Sequence, residues 1–397
     1  MRVLVHDYPG HAFPVQLSRE LARRGHAVRH LCFPEFQAPK GPLARRADDP
    51  GGFDVAFLDL GAPFEKHSYM RRWHQERRLG ALAREAIADW RPDVVLAGNA
   101  PLDVQAGSLA GARDAGAGFV YWLQDLVGVA MRKILGRKLS LPGTLVGLAY
   151  EAKERRLLRA ADAVVSITTD FEPLLARWGV AAERIHTIEN WAAREEIAPA
   201  PRDNPWARAH GLADRMTFVY SGTLGMKHDP GLLLDLARAD PARKVVVVSE
   251  GLGADWLRAR AGEAPNLVLL PFQPFARLGE VLASADILVA VLEPDAGIFS
   301  VPSKVLTYLC AGRPLLLAIP PENLAARIVA RIGAGLAAAP SDRAAFLAAA
   351  AALAGDAKMR ADMGAKALDY AAKTFDIAAI AARFETILES AAGSRSR

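Results

Sequence analysis

Short runs of consecutive apolar residues alternate along the chain with longer stretches in which apolar positions recur every three or four residues. Runs such as KVVVVS and DILVAV have the pattern of strands covered on both faces. This pattern predicts strands at 2–6, 53–58, 93–97, 118–123, 163–167 and 184–188. A second series is predicted at 217–221, 244–249, 267–272, 286–291 and 314–318. Helical stretches between them imply βαβ units and parallel sheets, hence an α/β fold with two doubly wound, Rossmann-like domains. The segment IAPAPRDNPWAR has prolines at 199, 201 and 205, which cannot continue a helix or a central strand, so the division is expected near 195–210. The stretch 336–355 is Ala-rich and reads as helix on propensity alone. The last stretch, with Ile377, Ile380, Phe384, Ile387 and Leu388 at helical spacing, predicts an amphipathic tail helix over 375–392.

Composition narrows this only moderately. The chain has 397 residues, 51% of them hydrophobic and 23% charged, as expected of a globular protein rather than a disordered one. The net charge of +5 divides almost evenly between the halves, without the concentrated basic footprint of a nucleic-acid binder. The two cysteines, Cys32 and Cys310, lie far apart in apolar stretches, which excludes a disulfide framework and a Cys-based zinc site and suggests a reducing, cytosolic setting. The N-terminus enters a strand-like run with no signal-peptide pattern, and no apolar run is long enough to span a bilayer.

In doubly wound domains ligands bind at the carboxyl ends of the strands, so chemistry is expected just after them. Two domains facing one another would form a cleft there. The segment GIFSVPSKVLTYLCAGRP (297–314) reads as a capped helix: Ser300 can cap, Pro302 suits the first helical position, and Gly312 with Pro314 closes it. Free N–H groups at its start, with Ser303 and Lys304, suit a phosphate or diphosphate, although an ordinary cap with a solvated lysine has the same pattern. The loop YSGTLGMKHDP (220–230) carries Gly222, Gly225, Lys227 and His228. It matches neither the dinucleotide fingerprint nor the P-loop, and without a phosphate it would be a plain flexible loop. Together the two segments point to a diphosphate ligand. In the first half, PGHAFP (9–14) offers Gly10 for a tight turn and His11 as acid, base, hydroxyl orienter or simple helix cap. Gln124 and Asp125 follow the strand at 118–123 and would face the same cleft or bond a loop.

One local charge cluster stands apart. Residues 131–159 carry eight basic side chains, including Arg132, Lys133, Arg137 and Lys138, against Glu151 and Glu154, around the apolar LSLPGTLVGLAY. The balance of +6 suits anionic lipid head groups or a lipid diphosphate, or else a solvated helix face. RRWHQERR at 71–78 is a second, smaller patch.

In combination, YSGTLGMKH, FSVPSKVLTYLCAGRP, LPFQP (270–274), RPDVVLAGN (91–99), IENW (188–191) and RGHAV (24–28) resemble GT-B glycosyltransferases of family 4. Within that family the chain is most similar to transferases of colanic-acid and O-antigen assembly, including N-acetyl-L-fucosamine transferases. The resemblance implies an acceptor-binding domain (1–198), a nucleotide-sugar domain (199–374) and a tail (375–397) returning to the first domain. It implies retaining transfer from a nucleotide donor, by expectation UDP-linked, to a membrane-linked saccharide, with no metal and no other cofactor. The enzyme would sit on the inner face of the plasma membrane. Lys227 would neutralise the departing diphosphate. Gly222, Thr223, His228, Ser300, Val301, Ser303 and Lys304 would surround it, and Phe272 and Gln273 would lie beside the base. On the acceptor or membrane side would stand Gly10, His11, Asn99, Gln124 and the four basic residues, with His11 and Asp125 as general-base candidates. Four positions depart from the family pattern: Thr307 stands where a ribose-binding Glu is usual, the first Glu of that pair would fall near Ile298–Phe299, Thr223 stands where an Arg is frequent, and Gln124-Asp125 where His-Asp is common. Two other readings share the fold: a UDP-sugar 2-epimerase and a non-catalytic sugar-nucleotide-binding partner.

Overall fold

The computed structural model describes residues 1–36, 40–65, 68–197, 200–225, 228–294 and 301–394, without the side chains of Lys138 and Glu196. They form two compact units, one of residues 1–190 with 376–397, the other of residues 191–375.

Unit 1 opens with β1 (Arg2–Asp7), α1 (Ala12–Arg23), β2 (Ala27–Cys32), β3 (Phe53–Phe57) and α2 (Tyr69–Trp90). It continues through β4 (Val94–Gly98), α3 (Leu102–Asp114), β5 (Gly118–Leu123), α4 (Val127–Ala160), β6 (Ala163–Ser166), α5 (Glu172–Arg177) and β7 (Ile185–Thr187). Its parallel sheet runs in the order β3-β2-β1-β4-β5-β6-β7. β4 and β5 are buried end to end, as their continuously apolar sequences predict, and β1 is buried from Val3 on even though it ends in His6 and Asp7. The strand β2 was not anticipated, because Arg29 and His30 interrupt its apolar run. Both are accommodated: Arg29 pairs with Asp54 at 2.7 Å, and His30 Nδ1 lies 2.9 Å from the Ser18 hydroxyl.

Unit 2 contains α6 (Pro205–Ala209), β8 (Thr217–Ser221), α7 (Gly231–Ala239), β9 (Lys244–Val248), α8 (Leu252–Arg258), β10 (Leu267–Leu270) and α9 (Leu278–Ala283). Then come β11 (Ile287–Val291), α10 (Ser303–Leu309), β12 (Leu315–Ala318), α11 (Leu324–Ile332), β13 (Gly335–Ala338), α12 (Arg343–Gly355) and α13 (Ala357–Thr374). Its parallel sheet has the order β10-β9-β8-β11-β12-β13. Two expectations are corrected here. The start of the Ala-rich stretch is not helix but the edge strand β13, whose Gly335 lies so close to the Leu315 carbonyl that a side chain would collide with it. Helix begins only at Arg343, after Asp342 caps it through Ala345 N. The proline-rich segment also contains a short helix, with Pro205 at its first position and Asn204 capping Trp206 N and Ala207 N.

The final helix, α14 (Ile377–Gly393), is capped by Asp376 and belongs to unit 1. Phe384 meets the edge of Trp122 with ring centroids 5.0 Å apart, and Gly118 leaves the room that the Ala391 backbone fills. Glu385 binds Arg24 at 2.5 Å and His26 at 2.6 Å, and these two bonds hold its carboxyl below the usual range against the opposing effect of burial.

α4 is not one rod. Ser140 has φ 50° and ψ −129°, and the chain folds back on itself there. Gly147 lies against the Arg132 backbone and Gly143 against the Leu135 carbonyl, while a Cβ on Gly128 would stand 2.6 Å from Glu151 Cα. Residues that far apart along one straight helix could not touch at 1.5 Å rise per residue. The element is a helical hairpin with arms 127–139 and 141–160, whose glycines let the backbones approach. Its base is held by Glu154, which accepts from Val127 N and Gly128 N at 3.0 and 2.9 Å. Burial pushes the Glu154 carboxyl up to about 8, against the pull of those two donors.

His6 and His30, on neighbouring strands, are fully buried, and desolvation lowers them to about 4 and 3. The unfolded chain takes up these protons near 6.5, so they contribute stability above that pH that is lost as pH falls toward 4 and then 3. The melting temperature is expected to decline from pH 6.5 to 4.5 with a slope that His6→Asn and His30→Asn each reduce. An unchanged slope in both variants would refute this assignment.

Candidate functional site

In each sheet the strand order reverses once, between β1 and β4 and between β8 and β11. At such a point the following connections leave toward opposite faces of the sheet and open a crevice between them. Part of the predicted set lies there in each unit, Gly222, Thr223 and Lys304 in one and Gly10, His11 and Asn99 in the other.

At the end of β8, Gly222 takes φ 121°, and its N–H donates to the Val248 carbonyl at 3.1 Å. α10, from the connection after β11, lies against this turn. Its Tyr308 hydroxyl accepts from Ser221 N at 2.8 Å and donates to the Ser221 carbonyl at 2.9 Å. One turn earlier on the same face, Lys304 Nζ donates to the Tyr220 hydroxyl and, at 3.3 Å, to the Thr223 carbonyl, and it stands 3.8 Å over the Tyr220 ring. A Cβ on Gly222 would press on Lys304 Cε at 3.3 Å, so glycine here serves both the turn and the lysine. The Tyr220 hydroxyl in turn donates to the Thr223 carbonyl at 2.9 Å. Burial drives both phenols well above their ordinary range, so they act as neutral donors at any working pH. The Lys304 ammonium is thereby held at the mouth of the loop in which Lys227 follows.

Other donor-side expectations have mixed outcomes. His228 is buried, and its Nδ1 accepts from Gly225 N at 3.0 Å, so it shapes the loop. Pro302 is the residue preceding α10 rather than its first helical position, because its ψ of 104° is extended. Lys227 and Ser300 lie outside the described residues. Val301 and Thr307 are half-buried and Ser303 is exposed; the Thr307 hydroxyl donates to the Ser303 carbonyl at 3.5 Å. Phe272 is half-buried after β10, two strands from β8, roughly 10 Å by interstrand spacing. The side chain of Gln273, expected beside the base, is engaged within unit 2. Its Oε1 accepts from the Trp206 indole at 3.1 Å, and its Nε2 donates to the Pro271 carbonyl at 3.0 Å.

In unit 1 the reversal point brings His11 and Asn99 together through a residue that the sequence reading missed, Asp7. The buried Asp7 carboxyl accepts from His11 N at 2.5 Å and from Asn99 Nδ2 at 2.8 Å. Burial raises its pKa, while the nearby His11 and these two donors pull it down. Gly10 at φ 76° and Asn99 at φ 55° make the two turns, a conformation that glycine and asparagine adopt at least cost. Lys40 closes the loop from the side, its Nζ 2.7 Å from the Pro9 carbonyl. No sequence motif announced Asp7, because an aspartate ending an apolar strand reads as an ordinary strand boundary. Gln124 takes the second of its two expected roles: it is buried and exchanges amide hydrogen bonds with Asn190, at 2.5 and 3.2 Å. Asp125 is exposed beside it.

The basic residues predicted for a membrane lie on the hairpin of α4. Arg132 pairs with Glu151 at 3.0 Å, Lys133 and Arg137 are exposed, and the Lys138 side chain lies outside what is described. Among the described residues no group of three or more His, Cys, Asp or Glu side chains could hold a metal ion. Cys32 and Cys310 are buried thiols that burial pushes up to about 12.

Residues 12–191 match the model of the glycosyl transferase 4-like domain. Over 188 residues the chain is 27% identical to the probable glycosyltransferase WbjE of Pseudomonas aeruginosa, a match covering 46% of this chain and 47% of that protein. The chain thus matches about half the length of this curated relative. Among solved structures, Anabaena HepE in complex with UDP-glucose superposes with a TM-score of 0.72 at 16% identity, covering 98% of this chain and all of that one. Sucrose-phosphate synthase from Thermosynechococcus elongatus superposes with a TM-score of 0.73 at 16% identity, covering 98% of each chain. The chain shares the GT-B fold, and its first half carries the glycosyl transferase 4-like domain match.

Replacing Tyr308 by Phe removes the hydroxyl that bonds both the backbone N–H and the backbone carbonyl of Ser221. The expected cost is about 1–3 kcal/mol, read as a lower midpoint in urea with an unchanged slope. A midpoint equal to wild type would show that this clamp contributes nothing.

Proposed function

We propose that the chain is a retaining, metal-independent glycosyltransferase that moves a sugar from a UDP-linked donor to a membrane-linked saccharide in cell-surface polysaccharide synthesis. The observation that carries the reading is Lys304, held by Tyr220 and the Thr223 carbonyl at the reversal point of unit 2. A nucleoside diphosphate leaving a sugar gathers negative charge on its oxygens, and fixed cations that meet this charge as it develops lower the barrier. Lys304 on α10, with Lys227 from the loop after β8, supplies that charge where other enzymes use a divalent ion. Phe272, roughly 10 Å away along the sheet edge, is at a suitable distance for the base when the diphosphate lies at Gly222–Thr223. The UDP-glucose bound to HepE and the domain match over 12–191 support the donor class and the reaction.

The acceptor belongs to unit 1 in this reading. His11 follows a turn whose backbone Asp7 fixes, and in this reading its imidazole orients or deprotonates an acceptor hydroxyl, with Asp125 as the second candidate base. The similarity to WbjE and the motif resemblance support a place among transferases of O-antigen-like assembly, the N-acetylfucosaminyl type included.

Purified Lys304→Ala and Lys227→Ala proteins that melt like wild type are expected to lose sugar transfer from UDP-sugars by about 10²-fold or more each. Wild-type turnover in both would refute the diphosphate assignment. Transfer should also persist undiminished in EDTA, and restoration of lost activity by a divalent cation would overturn metal independence.

A further inference from the structure

The α4 hairpin does more than carry charge. Its first arm leaves β5 at the carboxyl edge of the sheet of unit 1, and its second arm returns past that edge to reach the start of β6. Because Gly128 stands opposite Glu151, the part between them projects beyond the sheet edge. Eleven residues per arm at 1.5 Å give a projection of roughly 16 Å. This projection carries Ile134, Leu139, Leu141, Leu145, Val146 and Leu148, exposed by 46, 59, 71, 60, 48 and 44%. They make up more than half of the large hydrophobic side chains exposed among the described residues, so the exposure is concentrated in one tip rather than scattered.

The charge toward the tip is basic, and the one acidic side chain at its base, Glu151, is paired with Arg132. Between residues 126 and 150 the sequence has Arg132, Lys133, Arg137 and Lys138 and no acidic residue. A protein partner or a second copy would need acidic side chains opposite these cations. A bilayer of anionic phospholipid supplies both requirements at once, acyl chains for the leucines and phosphates for the cations. The projection is about half the roughly 30 Å of a hydrocarbon core, so it enters one leaflet and does not cross. Among the described residues no helix is long and apolar enough to cross a membrane.

We infer that residues 129–150 form a wedge that dips into one leaflet of an anionic phospholipid bilayer, with Leu139, Leu141 and Leu145 in the acyl region and Arg132, Lys133 and Arg137 at the phosphates. The wedge springs from the sheet edge at which His11 and Asn99 lie, so docking turns that edge toward the membrane surface. Bilayer binding is read without any sugar nucleotide, so this inference and the transferase reading can fail separately.

Sedimentation with phosphatidylglycerol–phosphatidylcholine vesicles tests it. Wild-type protein should bind, more weakly with rising salt. Leu139→Gln/Leu141→Gln/Leu145→Gln should bind roughly tenfold less or weaker, since three leucines lose their apolar burial. Lys133→Gln/Arg137→Gln should flatten the salt dependence. If the triple variant fails to fold, a single Leu141→Cys protein carrying an environment-sensitive fluorophore is used instead, because Cys32 and Cys310 are buried. Its emission should shift to the blue on adding vesicles. Undiminished vesicle binding by a folded triple variant, no blue shift at position 141, or absence of wild-type binding overturns the inference. So does self-association that the three leucine changes abolish while vesicles are ignored, which would assign the tip to a second copy.

Discussion

The structure depends on one constraint: a parallel strand can be followed by the next only through a crossover on one face of the sheet. When the winding direction changes, two neighbouring strands send their connections to opposite faces, and the gap between them is left unfilled. This happens once per sheet, at β1/β4 and at β8/β11. Interior strands spend their backbone groups on the ladder, and only beyond their carboxyl ends are turns free to adopt conformations such as those of Gly10, Asn99 and Gly222. The chemistry is therefore concentrated where the topology leaves space, and the surrounding packing exists to hold those turns in place.

Two clamps show how that is done. In unit 2, α10 is only seven residues long, yet it grips the end of β8 at two levels, Tyr308 on Ser221 and Lys304 on the Tyr220–Thr223 turn. In unit 1, Asp7 ties the turn after β1 to the turn after β4 with one carboxyl group. Both clamps bury polar groups in satisfied networks, which favours one geometry because every alternative leaves a buried donor or acceptor without a partner.

Most of the fold was legible because continuous apolar runs of four to six residues have few other uses. Strands β5 and β8 fall where the pattern put them, residue for residue. The failures have a shared cause. β2 and β13 carry polar or very small residues that a local reading takes for loop or helix, and only their neighbours in the sheet make them strands. The site was half legible for a similar reason. Glycines and basic residues near strand and helix ends announce themselves, so the sequence named Gly222, Lys304 and His11 as candidates, and the fold sets each of them at a reversal point. Their supports, Asp7, Tyr220 and Tyr308, look like ordinary strand and helix residues until the fold brings them near. The partners of Gln124 and Gln273 were not legible either: each follows a strand, but each bonds a side chain that no local pattern links to it, Asn190 in one case and Trp206 in the other.

The helix α14 gives unit 1 a history as well as a shape. Its contacts with Trp122, Gly118, Arg24 and His26 belong to residues that leave the ribosome early, but the helix itself emerges only after all of unit 2 has been made. At roughly 5–20 residues per second, the edge of Trp122 that Phe384 later covers waits about 13–50 s for its partner. Throughout that interval the nascent first unit exposes an apolar groove of its own, so completing the last helix is also what ends its exposure to misassembly and to chaperones.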